Sequence, residues 1–217
     1  MNINEIKIVC ITVGGDYRRM YHTILSKGRS DHDPALHFKD RGLDVTFYPG
    51  IHAERLGLRT IHPYEVDAPG SGFNMGAGPV GCWLSHRTLW AALLLLPHET
   101  FFVLEDDAIF PPDWKPRLER NLAALPPDWD VLYVGSCCAA DKPKEHVAEE
   151  VYDLRYPVCL HGYLVRKKAL PILIETTDAA RCYAPIDISM AFHSLPHLRT
   201  FTMLPRLLEQ FETELSQ

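Results

Sequence analysis

Short apolar runs recur along the chain, each closed by glycine, proline or acid, and longer stretches between them carry apolar residues at helical spacing. Residues 6–13 are rich in β-branched and apolar side chains and predict a first, central strand, stopped by Gly14-Gly15-Asp16. Residues 17–25 can form a helix. Residues 45–48 predict a second strand, closed by Pro49-Gly50. Residues 51–79 carry no period, and the clusters Pro69-Gly70-Ser71-Gly72 and Gly76-Ala77-Gly78-Pro79 mark loop. In residues 81–96, Cys82, Ser85, His86, Leu89, Leu93 and Leu96 fall on one helical face, and Pro97 ends the helix. Phe101-Phe102-Val103-Leu104 is apolar throughout, as expected of a strand buried on both faces. Helices are expected at 115–125, 167–175 and 186–193, and strands at 131–135, 159–165 and 199–203. Residues 141–155 read as a charged, irregular excursion, and the tail after Met203 as about one helical segment. The alternation predicts an α/β domain with a mostly parallel sheet.

The strand at 101–104 runs directly into Glu105-Asp106-Asp107. The carboxyl ends of strands are where open α/β sheets bind ligands. If the chain stays extended, Glu105 and Asp107 share one face, about 6.7 Å apart at Cα. Two like charges at that spacing repel by roughly 2.5 kcal/mol at an effective dielectric near 20. A hard divalent cation turns that cost into a gain. A solvated acidic loop is the plainer alternative.

Composition narrows the partners. Net charge is −6 with no Lys/Arg run, which argues against nucleic acid. The longest apolar stretch, 89–97, is too short to span a bilayer, and the N-terminus has no signal-peptide h-region. Six cysteines lack metal-knuckle or disulfide-framework spacing and read as small buried hydrophobes in a reducing compartment. A cytoplasmic protein without a transmembrane segment is expected.

Other residues are candidates by position. Ser85 and His86 lie in the first turns of the 81–96 helix, where free N–H groups favour an anion; a packed Ser–His pair is the alternative. His161 precedes Gly162, which leaves room for close approach. Asp187 opens a helix after Pro185-Ile186 and reads either as a cap or as a carboxylate base at the floor of a cleft. Arg18 and Arg19 follow the first strand's exit and are candidate nucleotide contacts. No Walker loop, GxGxxG, GxSxG or HExxH is present.

These features together resemble glycosyltransferase family 25, which includes lipooligosaccharide and collagen galactosyltransferases. The resemblance is carried by Gly78-Pro79-Val80-Gly81-Cys82-Trp83-Leu84-Ser85-His86, the apolar helix after it, and Phe102-Val103-Leu104-Glu105-Asp106-Asp107. Asp128-Trp129-Asp130-Val131-Leu132-Tyr133-Val134-Gly135, His161-Gly162-Tyr163-Leu164-Val165 and Pro185-Ile186-Asp187 extend it, and Pro205 with Gln210 resembles the family's closing Pro…Gln. The first loop, Ile11 to Arg19, departs from the family pattern.

The resemblance implies a GT-A-type, Rossmann-like fold: a mostly parallel mixed sheet flanked by helices in one domain, 1–217. About 1–110 would form the nucleotide-sugar half and about 111–217 the acceptor half. It implies metal-dependent, inverting transfer of a hexose, galactose foremost, from a UDP-sugar to a glycan or lipid-linked glycan, as in lipopolysaccharide biosynthesis. Mn²⁺ or Mg²⁺ would be held by Asp107 with Glu105. Thr12, Arg19, Ser85, His86, Asp106 and His161 would line the donor pocket, and Asp187 would be the catalytic base, with Glu209 next in line. Two other classes stay open: a GT-A-like domain without activity, serving as a binding or assembly module, and a metal-dependent phosphoryl-transfer enzyme.

Overall fold

The computed structural model describes residues 3–13, 33–57, 76–136, 145–153, 157–178 and 184–210. The helix expected at 17–25, and Arg18 and Arg19 with it, lie outside the described residues.

The first strand, β1 (Lys7–Thr12), forms where the apolar run predicts it. Helix α1 (Pro34–Asp40), which periodicity did not reveal, starts on a strong local signal. Asp33 caps it by accepting from the backbone N–H of Ala35 at 2.8 Å, and Pro34 supplies a preset φ at the first helical position. Strand β2 (Thr46–Pro49) follows. Helix α2 (Ala77–Leu93) begins inside the cluster that reads as loop. Pro79 falls in its first turn, where backbone N–H groups have no intrahelical acceptor, so the missing donor costs nothing.

Strand β3 (Thr100–Glu105) carries the acids at its end, and the short β4 (Ala108–Ile109) comes directly after. Helix α3 (Trp114–Ala124) and β5 (Val131–Gly135) match the pattern closely. The excursion expected to be irregular contains an antiparallel pair, β6 (Glu145–Ala148) and β7 (Val151–Asp153). Next come β8 (Gly162–Arg166), α4 (Leu170–Thr176) and the short α5 (Ile186–Ser189). Strand β9 (Thr200–Met203) is followed by β10 (Glu209–Gln210), a strand where a helical tail was expected.

Among the described residues, eight strands form one mixed sheet in the order β2-β1-β3-β8-β5-β9-β7-β6. Strands β2, β1, β3, β5, β9 and β6 point one way, and β8 and β7 the other. Helices pack on both faces, giving the α/β architecture expected: a mostly parallel mixed sheet flanked by helices. Alternate residues of the central strands feed two cores. Phe101 and Val103 of β3, Val131 and Tyr133 of β5, and Tyr163 and Val165 of β8 join α2 and α4. Phe102, Leu104, Leu132, Val134 and Leu164 join α1 and α3 on the other face. Two buried faces explain why these strands read as continuous apolar runs.

Strand direction assembles the site. β1 and β3 are parallel neighbours, with Ile11 beside Glu105, so their carboxyl ends share one sheet edge. Because β8 runs antiparallel to β3, its first residue, Gly162, pairs with Leu104. That brings His161 next to the acids: its carbonyl accepts from the Glu105 N–H at 3.2 Å. A second, two-stranded ladder pairs Gln210 of β10 with Ala108 of β4 and delivers Gln210 to Asp107.

Candidate active site

The three acids leave β3 toward three different partners. Glu105 Oε1 lies 3.1 Å from His86 Nε2 and 3.5 Å from the Cys82 thiol sulfur. Asp106 Oδ2 accepts from the Thr12 hydroxyl at 2.8 Å, tying the ends of β1 and β3 together. Asp107 Oδ2 accepts from the Gln210 amide at 2.7 Å. Its other oxygen, Oδ1, is buried and has no hydrogen-bond partner among the described residues. Glu105 and Asp107, expected as a pair, thus have separate partners.

Burial and charge set the ionisation of these groups. Burial works against a charged Glu105, but the hydrogen bond and charge of His86, helped by His161 and Cys82, hold its pKa below the ordinary value. Asp107 goes the other way. Burial and the Glu105 charge raise it, the Gln210 hydrogen bond opposes them, and the outcome is about 7 against an ordinary 3.8. Burial, then Glu105, pushes the Cys82 thiol well up, so it is protonated in the metal-free protein.

His86 is buried on α2 one helical turn after Cys82. Its Nδ1 lies 3.0 Å from the Tyr163 hydroxyl, which also accepts from the indole N–H of Trp90 at 2.8 Å. A line of polar contacts therefore runs from Trp90 through Tyr163 and His86 to Glu105. Ser85, also buried, donates to the Gly81 carbonyl at 2.6 Å and accepts from the Ile51 N–H at 2.7 Å. Both candidates from the helix start are engaged within the protein. The approach of residue 51 is close: a Cβ on Gly81 would lie 2.5 Å from the Ile51 carbonyl oxygen.

His161 is fully buried and packs against Gly135, and its Nε2 lies 3.4 Å from the Leu208 carbonyl. Burial lowers its pKa. Asp187 is the second residue of α5, whose N-cap is Pro185, and accepts two backbone N–H groups, from Cys159 at 2.8 Å and from Ile188 at 2.8 Å. Its charge is felt by Tyr133, where burial first and Asp187 second raise the phenol, and by Cys82. Arg19 lies outside the described residues.

Cys159 has a left-handed backbone, φ 69°, and is disulfide-bonded. The expectation that every cysteine is a reduced hydrophobe therefore does not hold at Cys159. Cysteine spacing alone does not show which residues the fold brings within bonding distance.

Spacing had shown the acids, Ser85, His86 and Asp187. It missed Cys82 as a partner of Glu105, although Cys82 and His86 stand four apart on one helix face, and it missed Tyr163 and Trp90 as supports of His86. Gln210 was visible only through the closing Pro…Gln.

Residues 35–190 match the family model described as Glycosyltransferase family 25 (LPS biosynthesis protein). That stretch is most of the chain, and the chain belongs to glycosyltransferase family 25. A protein of Aedes aegypti named Glycosyltransferase 25 family member is 28% identical over 172 residues, 74% of this chain and 28% of that protein. Procollagen galactosyltransferase 1 of Danio rerio is 27% identical over 174 residues, 71% of this chain and 28% of that protein. A Homo sapiens protein named Inactive glycosyltransferase 25 family member 3 is 36% identical over 83 residues, 37% of this chain and 14% of that protein. The chain thus spans under a third of these relatives' length. Among the described residues no helix is long and apolar enough to cross a membrane.

Proposed function

We propose that this chain is a GT-A-type glycosyltransferase domain that moves a hexose, galactose foremost, from a UDP-sugar to a glycan hydroxyl with inversion. The observation that carries this is Asp107 Oδ1, a buried carboxylate oxygen that has no hydrogen-bond partner among the described residues, at the exit of a core strand. A buried polar atom is expected to be satisfied, and a hard divalent cation satisfies a carboxylate oxygen best. Family membership and the procollagen galactosyltransferase relative support the transferase reading and the choice of galactose.

Asp107, with the nearby charge of Glu105, is the proposed holder of Mn²⁺ or Mg²⁺. Such an ion supplies the positive charge that a departing diphosphate needs. Thr12 and Asp106, joined by their hydrogen bond, are proposed to meet the nucleoside, with Arg19 from the first loop. Ser85, His86 and His161 are proposed to shape the donor pocket from behind, since the Ser85 hydroxyl, the His86 ring and His161 Nε2 engage the protein. Asp187 is the proposed base. Two backbone N–H groups aim its carboxylate, and they also lower its basicity. The domain would divide into a nucleotide half, about 1–110, and an acceptor half, about 111–217.

Calorimetric titration with UDP, with and without Mn²⁺, tests the reading. UDP binding that requires the metal is the expected result. Equal binding in both conditions would remove the metal from the proposal. Absence of any UDP binding would favour a domain without activity, a reading the inactive human relative also supports.

A further inference from the structure

The cluster of Cys82, His86 and Glu105 contains ligand atoms of three kinds, all within 4.8 Å of one another. They come from two rigid elements: Cys82 and His86 from successive turns of α2, and Glu105 from the end of β3. We infer that these three side chains form a binding site for a thiolate-accepting divalent cation of the Zn²⁺ class, separate from the hard-cation site at Asp107. The inference does not rest on the transferase reading.

The distances suit the inference. With Zn–S near 2.3 Å and Zn–N and Zn–O near 2.1 Å, a tetrahedral site spaces sulfur from oxygen by about 3.6 Å and nitrogen from oxygen by about 3.4 Å. Here Cys82 Sγ and Glu105 Oε1 are 3.5 Å apart, and His86 Nε2 and Glu105 Oε1 are 3.1 Å apart. Both distances to Glu105 Oε1 thus lie within a few tenths of an ångström of a tetrahedral site, while Cys82 Sγ and His86 Nε2, within 4.8 Å of each other, would close toward about 3.6 Å as the ion binds. One sulfur, one imidazole nitrogen and one carboxylate oxygen is a donor set that borderline cations accept, whereas Mg²⁺ and Ca²⁺ prefer oxygen alone. Three protein ligands leave a fourth position, and Cys82 and Glu105 are both partly exposed, which opens that side.

The surroundings of His86 are those of a metal ligand. A metal-bound histidine donates its other ring N–H to a fixed acceptor, which sets tautomer and ring orientation. Here the group facing Nδ1 is the Tyr163 hydroxyl, 3.0 Å away, able to accept from it and itself anchored by the Trp90 indole N–H at 2.8 Å. When the cation binds at Nε2, the ring proton resides on Nδ1 and points at the Tyr163 oxygen. The Cys82 thiol proton leaves to solvent as the sulfur takes the cation. The bound ion would pin α2 to the end of β3, just before the Asp106-Asp107 turn.

Titration of the purified protein with Co²⁺ tests the site. The expected result is a near-ultraviolet thiolate-to-cobalt charge-transfer band that one equivalent of Zn²⁺ abolishes by displacement. Cys82→Ser should lose that band while retaining its circular-dichroism spectrum. Tyr163→Phe keeps all three ligands and should weaken Zn²⁺ binding by about 10- to 100-fold, measured by competition with a chromophoric chelator. Asp107→Asn should keep the band, whatever it does to UDP binding, so this inference and the transferase reading fail separately. Co²⁺ bound without the band, no Co²⁺ binding at all, an unchanged band in Cys82→Ser, or a band lost in Asp107→Asn would each overturn the inference.

Discussion

At Asp107 three effects oppose the charged form, burial first, then the neighbouring Glu105 and Asp106, and against the Gln210 hydrogen bond they raise its pKa to about 7. The sign for stability follows from proton binding. Between the ordinary 3.8 and about 7 the folded state holds a proton that the unfolded state has lost. Stability of the metal-free protein therefore falls as pH rises through that window. Asp107→Asn removes the titrating group. Urea unfolding at about pH 5 and about pH 8 should show a smaller loss in the variant than in the parent. The same variant should lose metal-stimulated UDP binding, read by calorimetry; unchanged Mn²⁺ affinity would take Asp107 out of the site. Asp187→Asn separates a base from a cap. As a base, its loss costs about 10²- to 10⁴-fold in transfer rate with UDP binding nearly intact. As a cap, it costs about 1 kcal/mol of stability and little activity. The first outcome is expected, measured with UDP-galactose and a glycan acceptor. What spacing could not show at this scale was partnership. Glu105 and Asp107 alternate correctly along a strand, but the chain turns after Glu105, and the two side chains take different partners.

Among the elements, β5 and β8 meet near the site through a pair of glycines. Gly135 and Gly162 pair across it, and His161 fills the space over Gly135. A Cβ at residue 135 would come within 2.2 Å of His161 Nε2, on a ring that is fully buried. Gly135→Ala should therefore destabilise by about 1–3 kcal/mol through overpacking, seen as a lower urea midpoint with an unchanged slope. Gly162 also faces a close neighbour, the buried Leu208 side chain, whose Cδ1 a Cβ would meet at 2.4 Å. The start of α2 teaches a related lesson. Gly76-Ala77-Gly78-Pro79 has loop composition, yet Ala77–Leu93 is helical because a proline is harmless among the first-turn N–H groups. The β6–β7 pair was illegible for another reason. It is a partly exposed pair of short strands at the sheet edge, held by β9 alone among the central strands, and no alternation of burial marks it.

Over the whole molecule, β3 is one of the central strands that feed both cores. Phe102 is fully buried with its ring centroid 5.9 Å from that of Phe110, and Val103 faces the opposite core. Phe102→Ala should cost about 3–5 kcal/mol in urea or thermal unfolding, a large share of the stability of a domain this size. A much smaller loss would mean that the α1–α3 face can collapse onto the gap. The sequence by itself determined the class: runs of apolar residues mark strands buried on both faces, helical spacing marks α2 and α3, and the acids follow the most apolar strand. These are local properties, set by residue type and period, and they survive without knowledge of the neighbours. Strand direction, the pairing of Gln210 with Asp107 and the Cys82–His86–Glu105 cluster were decided only by the tertiary structure. Each joins residues that are distant in the chain or that lie on different elements, so it depends on which strand lies beside which. That choice follows from how both faces of the sheet are covered at once, and no stretch of the chain read alone contains it.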